Sequence, residues 1–173
     1  MKALTRVVLG LGVAMALDGL SKVWAEQTLE LYQPVPLAGD FFRFTLGYNT
    51  GVAFGMFANG GSGPLIVTGF VILGLTIWFW RALQSGQFPA PAGWPIGLLL
   101  GGAIANFVDR LIDGRVTDFL DAGVGATRWP TFNLADSFII VGMVWLLFIN
   151  QGERHRLKEA EPVEESSPPN DLQ

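Results

Sequence analysis

Residues 106–136, NFVDRLIDGRVTDFLDAGVGATRWPTFNLAD, carry five aspartates between two apolar stretches. Asp109, Asp113 and Asp118 lie on the approach to a turn, Asp121 follows, and Asp136 stands at the head of the next apolar run. The flanks are WPIGLLLGGAIA at 94–105 and SFIIVGMVWLLFI at 137–149. An ionisable side chain at the edge of hydrocarbon costs roughly 2.5–3.5 kcal/mol on insertion scales, so it tends to persist where it has a partner or a task. Reading the flanks as membrane spans decides the fold, and sorting the carboxylates decides the chemistry.

Composition supports that reading. Of 173 residues, 50% are apolar and only 15% charged, against about a quarter charged in soluble proteins. The absence of Cys excludes disulfides and thiol chemistry without choosing a compartment. The excess of 15 acidic over 11 basic residues comes largely from the last stretch, EAEPVEESSPPNDLQ. Net charge therefore says little about partners, and nucleic-acid binding has no support.

Working outward, four spans emerge. Leu4–Trp24 is about long enough to cross a ~30 Å hydrocarbon core, with Lys2 and Arg6 at its start. Ala14-Met15-Ala16 lends it the look of a cleaved signal peptide, but three further spans favour an uncleaved insertion signal. Asp18 and Lys22 stand one helical turn apart in the order that suits an i,i+4 ion pair, which leaves mutual neutralisation and a direct catalytic role both open. The second span, Pro64–Trp80, has no ionisable residue and ends in Trp78, Trp80 and Arg81, an interfacial anchor. The third opens at Trp94, and its Gly97, Gly101 and Gly102 allow close helix approach. The fourth runs from about Asn133 to Ile149. Between the first two spans, DFFRFTLGYNTGVAFGMF (40–57) is rich in aromatics and broken by Asn and Gly, which predicts a small β-element on the outer face. Its Phe41, Phe42, Phe54, Met56 and Phe57 are expected to pack on helix ends or dip into the interface.

Basic residues set the orientation. Lys2, Arg6 and Arg81, with Arg154, His155, Arg156 and Lys158, mark three cytoplasmic segments, whereas Arg43, Arg115 and Arg128 are offset by nearby acids. Both termini are thus expected inside. His155, the only histidine, belongs to the basic flank, which leaves no histidine for a metal site or a Ser-His mechanism. Residues 1–160 are expected to form one membrane-embedded domain and 161–173 an acidic, disordered cytoplasmic tail.

This topology gathers Asp18, Asn49, Asn106, Arg110, Asp118, Asn133 and Asp136 at the outer face. Two neighbouring carboxylates do not both ionise readily, and a pair that shares one proton can act as base toward water while donating to a carbonyl. No Cys, His, metal or cofactor is required. Asn amides and Arg110 can support a carbonyl oxygen as it gains charge. Asp136, near N3 of a helix that Asn133 would cap, sits where the helix dipole favours a carboxylate, although capping alone would also account for it. Asp118, between Val116 and Phe119, suits a strand-like, partly buried setting that raises its pKa. Asp113 and Asp121 read as solvated, and Asp109, beside Arg110, as interfacial.

At these residues the chain resembles the bacterial lipoprotein signal peptidases, the signal peptidase II family. DGLSK (18–22), YNTGVAFG (48–55), GGAIANFVDR (101–110) with GRVTDF (114–119), and FNLADS (132–137) follow the order of its blocks. Where the family commonly has Gly before the matched Asn106, this chain has Ala105. The resemblance implies an all-α polytopic protein with four transmembrane helices and a small β-element on the periplasmic face of the bacterial inner membrane. It implies an aspartic endopeptidase that removes signal peptides from diacylglyceryl-modified prolipoproteins, cutting before the lipid-bearing cysteine. The catalytic pair would be Asp118 and Asp136; Asn49, Gly51, Asn106, Arg110 and Asn133 would shape the substrate site, with Asp18 in support. Prolipoproteins, membrane lipid and globomycin-like inhibitors are the implied partners. The alternatives from other classes are a small transporter or proton-coupled channel, which would place acids at mid-depth on broken, repeated helices, and a scaffold whose polar groups only satisfy helix ends.

Overall fold

The computed structural model describes residues 2–51 and 63–160. Four helices, α1 (Ala3–Thr28), α2 (Gly63–Gln84), α3 (Gly93–Asp113) and α4 (Leu134–Ala160), each contain a segment long and apolar enough to cross a membrane. A 3-10 turn, Ala90–Ala92, leads into α3. Strands β1 (Val35–Ala38), β2 (Phe42–Asn49), β3 (Val116–Val124) and β4 (Thr127–Arg128) form one antiparallel sheet in the order β1-β2-β3-β4.

Helix α3 is the centre of the bundle, packed against α1, α4 and α2. The glycine pattern explains how. A Cβ on Gly97 would collide with the Val7 carbonyl of α1, and one on Gly102 with the Ala135 carbonyl of α4. Small residues thus bring the backbones into contact, which is how helices associate where lipid offers no hydrophobic contrast. The core between them is Phe79, Ala92, Ile96, Leu99 and Leu100. On the outside, Val8, Phe70 and Phe148 are exposed, as befits surfaces that face hydrocarbon.

The sheet is rooted on the end of α1. Ala25, Leu46, Phe119 and Leu120 form a second buried cluster, and Trp24 meets Phe44 and Phe119 edge-on, with ring centroids 5.1 and 6.2 Å apart. Such geometry adds about 0.5–1.5 kcal/mol per pair beyond burial.

Two expectations change. The helices extend beyond the apolar spans, α4 as far as Ala160, because a helix does not stop where hydrocarbon does. The β-element also draws half its strands from the connection between α3 and α4, where only the setting of Asp118 reads as strand-like in sequence: β3 pairs with β2 through Arg43↔Asp121 and Gly47↔Asp118. Phe41 is exposed and Phe42 packs on the second cluster. The expectations for Phe54, Met56, Phe57 and the 161–173 tail lie outside the described residues.

Candidate active site

The site is built from the first turn of α4. Asn133 accepts the Asp136 N–H at its Oδ1 (2.9 Å), and Asp136 Oδ2 accepts the Asn133 N–H (3.2 Å). That is a reciprocal capping box, so Asp136 does cap the helix. Capping leaves its other oxygen available, and Oδ1 accepts from Asn106 Nδ2 at 2.8 Å.

Asn133 then reaches the second carboxylate. Its Nδ2 donates to Asp118 Oδ1 at 2.7 Å and to Asn106 Oδ1 at 3.1 Å. One amide thereby ties β3, α3 and α4 together around Asp118 and Asp136. Asp118 is 3% exposed. Burial and then the nearby Asp136 push its pKa up to about 7, against the hydrogen bonds of Asn133 and Asn49 and the charge of Lys22.

Arg110 secures the end of β2. Its Nε donates to the Gly51 carbonyl (2.8 Å) and its Nη1 to the Asn106 carbonyl (3.1 Å), while Asn49 Oδ1 accepts the Gly51 N–H (3.0 Å). Behind the carboxylates, Asp18 Oδ1 accepts the Ala135 N–H at 2.8 Å, and its Oδ2 lies 2.6 Å from Lys22 Nζ.

A cleft of about 950 Å³ opens in front of this cluster. Asn49, Gly51, Asn106, Arg110, Asp118 and Asp136 supply its polar side, and Val71, Ile72, Leu75, Ile139 and Ile140 an apolar side from α2 and α4. Six of the eight expected site residues therefore meet in one cavity. Asp18 and Asn133 do not line it; they are buried behind it at 1% and 0% exposure, where they hold the others.

Sequence reasoning misplaced one aspartate. Asp121, expected to be solvated, is 4% exposed on β3 and accepts from Arg43 Nη2 (2.8 Å), Arg128 Nε (2.8 Å) and Thr45 Oγ1 (2.9 Å). Asp109, read as interfacial, is partly exposed near the end of α3 and is ion-paired with Lys22. Asp113 is exposed, as expected. The apolar wall from α2 was missed, and periodicity gave no sign of it, because a lipid-facing and a cleft-facing aliphatic residue look alike. Among the described residues no cluster of three or more His, Cys, Asp or Glu is placed to hold a metal ion.

Comparison with known proteins gives this cluster a context. The family model described as "Signal peptidase (SPase) II" matches residues 11–150. The chain belongs to the signal peptidase II family. It is similar to the lipoprotein signal peptidase of Xanthomonas campestris pv. campestris (strain 8004), 34% identical over 161 residues that cover 86% of this chain and 89% of the relative. The lipoprotein signal peptidase of Psychromonas ingrahamii is 34% identical over 154 residues, 88% of this chain and 86% of the other. A bacterial membrane enzyme solved by the in meso method at 2.3 Å superposes with a TM-score of 0.71 at 25% identity, covering 94% of this chain and 93% of that one. A second, at 1.9 Å, gives 0.67 at 27% identity over 82% and 90%. As a member of the signal peptidase II family with four apolar helices, the chain is a peptidase and a multi-pass bacterial membrane protein.

Proposed function

We propose that this protein is an aspartic endopeptidase that removes signal peptides from diacylglyceryl-modified prolipoproteins, cutting just before the lipid-modified cysteine, with Asp118 and Asp136 as the catalytic pair. The observation that carries this reading is that the two carboxylates face one cleft and share one Asn133 clamp.

In the resting site Asp118 holds the shared proton, in keeping with its pKa of about 7. Both oxygens of Asp136 already receive N–H donors, an arrangement suited to a carboxylate. Asp136 takes a proton from a water whose oxygen attacks the scissile carbonyl, while Asp118 gives its proton to the carbonyl oxygen. The tetrahedral diol then collapses: the C–N bond breaks, the amine leaves with a proton from Asp136, and a hydroxyl proton returns to Asp118. Asn49 and Arg110, on the polar rim, support the developing charge.

The apolar wall of α2 and α4 suits a signal helix or acyl chain that stays in the bilayer while the scissile peptide meets water at the sheet. Residues 1–160 then act as a single domain of the inner membrane, with both termini cytoplasmic and the cleft near the periplasmic face. A globomycin-like cyclic depsipeptide would compete for the same cleft.

The test is a gel-shift assay of purified variants on a diacylglyceryl-modified prolipoprotein in detergent. Asp118→Asn and Asp136→Asn are each expected to abolish cleavage while remaining folded and inserted. Cleavage retained by either variant would overturn the pair.

A further inference from the structure

Lys22 lies at 5% exposure on α1, outside the cleft lining, yet it is wired to the candidate catalytic pair. Its Nζ contacts Asp18 Oδ2, Asp109 Oδ2 and Asn106 Oδ1. An ammonium has three N–H donors and no acceptor, so these three oxygens use its whole capacity. The consequence falls on Asn106, whose Oδ1 takes two donors, Lys22 Nζ at 2.9 Å and Asn133 Nδ2 at 3.1 Å. Its Nδ2 must then point the other way, to Asp136 Oδ1 at 2.8 Å. A flipped amide would set N–H against N–H on one side and oxygen against carboxylate on the other.

We infer that Lys22 is a positioning residue for prolipoprotein cleavage: it locks the Asn106 amide in the one orientation that presents a donor to Asp136. Asp18 and Asp109 serve this function by holding the ammonium from two sides. Asp18 also anchors the α4 N-terminus through Ala135, so both the helix carrying Asp136 and the amide that orients its carboxylate depend on the same buried cation. The inference rests on Asp136 acting in cleavage, as proposed above.

The experiment combines a kinetic split with a double-mutant cycle on the full-length enzyme in detergent, using the diacylglyceryl-modified prolipoprotein. Lys22→Met is expected to lower kcat by ~10²-fold, as small misplacements of catalytic groups do, with KM little changed. Should Lys22→Met not fold, Asp109→Asn tests the same link, since its side chain is 29% exposed and the change removes only a charge. Asp109→Asn is expected to lower kcat several-fold in the wild type and to have no further effect in an Asn106→Ala background, because a residue acting through Asn106 cannot act without it. Additive losses in that cycle, or an unchanged kcat in folded Lys22→Met, would overturn the inference. Asp136→Asn in the same assay separates the levels: if it is inactive and the cycle is additive, only the role of Lys22 fails, whereas an active Asp136→Asn removes both.

Discussion

Asp118 and Asp121 lie three residues apart on β3, almost equally buried at 3% and 4% exposure, and their surroundings are opposite. An odd offset on a strand sends the two side chains to opposite faces. Asp118 faces Asp136 and the Asn133 amide, with no salt bridge to it among the described residues, and its pKa is pushed up to about 7. At Asp121 burial works in the same direction, but hydrogen bonds from Arg128, Arg43 and Thr45 hold its carboxyl below its ordinary value. Low exposure alone does not decide what a carboxyl does; Asp118 lies deeper among protein atoms and Asp121 has its own donors, and depth and partners together set the two apart. Asp118 is the member proposed to react, and Asp121 is spent on holding β2, β3 and β4 together.

The sharpest way to break this contrast is to remove each carboxylate in turn. Asp118→Asn is expected to lower cleavage by at least about 10³-fold, in the range for losing a general acid–base group, with the melting temperature maintained or raised. Asp121→Asn is expected to do the reverse: kcat per folded molecule stays within a few-fold, while stability falls by on the order of 1–3 kcal/mol as Arg43 and Arg128 lose a charged partner. Gel-shift kinetics beside thermal unfolding read both, and a shared profile for the two variants would dissolve the distinction.

Titration separates them next. A pair sharing one proton makes the cleavage rate pass through a maximum with pH, and loss of the Asp118 proton is expected to lower the rate above about 7. For stability the signs are opposite. The raised pKa of Asp118 contributes stability that is full below the unfolded value near 3.8 and is lost as pH rises through about 7. The lowered pKa of Asp121 contributes stability present above 3.8 and lost as pH falls through its folded value. Unfolding measured across pH should lose the first dependence in Asp118→Asn and the second in Asp121→Asn.

The smallest effect is expected at Asp40. Its carboxylate bridges Arg43 at 3.2 Å and Arg128 at 3.8 Å but is 57% exposed, and such pairs contribute about 0–1 kcal/mol. Asp40→Asn should shift the melting temperature only slightly and leave cleavage unchanged; a large loss would mean that the arginine clamp on Asp121 depends on it.

Much of the fold was legible because membrane spans are written in long apolar runs, and all four helices lie where those runs do. The capping position of Asp136 was legible for a similar reason: the Asn133 to Asp136 spacing is local, and the reciprocal bonds of the capping box follow from it. Asp121 was misread because two of its three partners are remote, Arg43 standing 78 and Thr45 76 residues away on a strand whose register is visible only once β2 and β3 pair. Lys22 was legible as the i,i+4 partner of Asp18, but its link to Asn106 spans 84 residues.

The sequence by itself determined the spans, the helix that begins at the Asn133 cap and a stock of carboxylates at one end of the bundle, since each depends on hydrophobicity or on contacts within a turn. The resemblance in the sequence named Asp118 and Asp136 as the pair, and tertiary structure alone decided what holds each carboxylate in place. Glycine-mediated contacts set α1 and α4 against α3, and the pairing of β3 with β2 and β4 turns Asp118 toward Asn133 and Asp121 toward two arginines. Both are long-range choices in which neighbours distant in sequence control the local electrostatics.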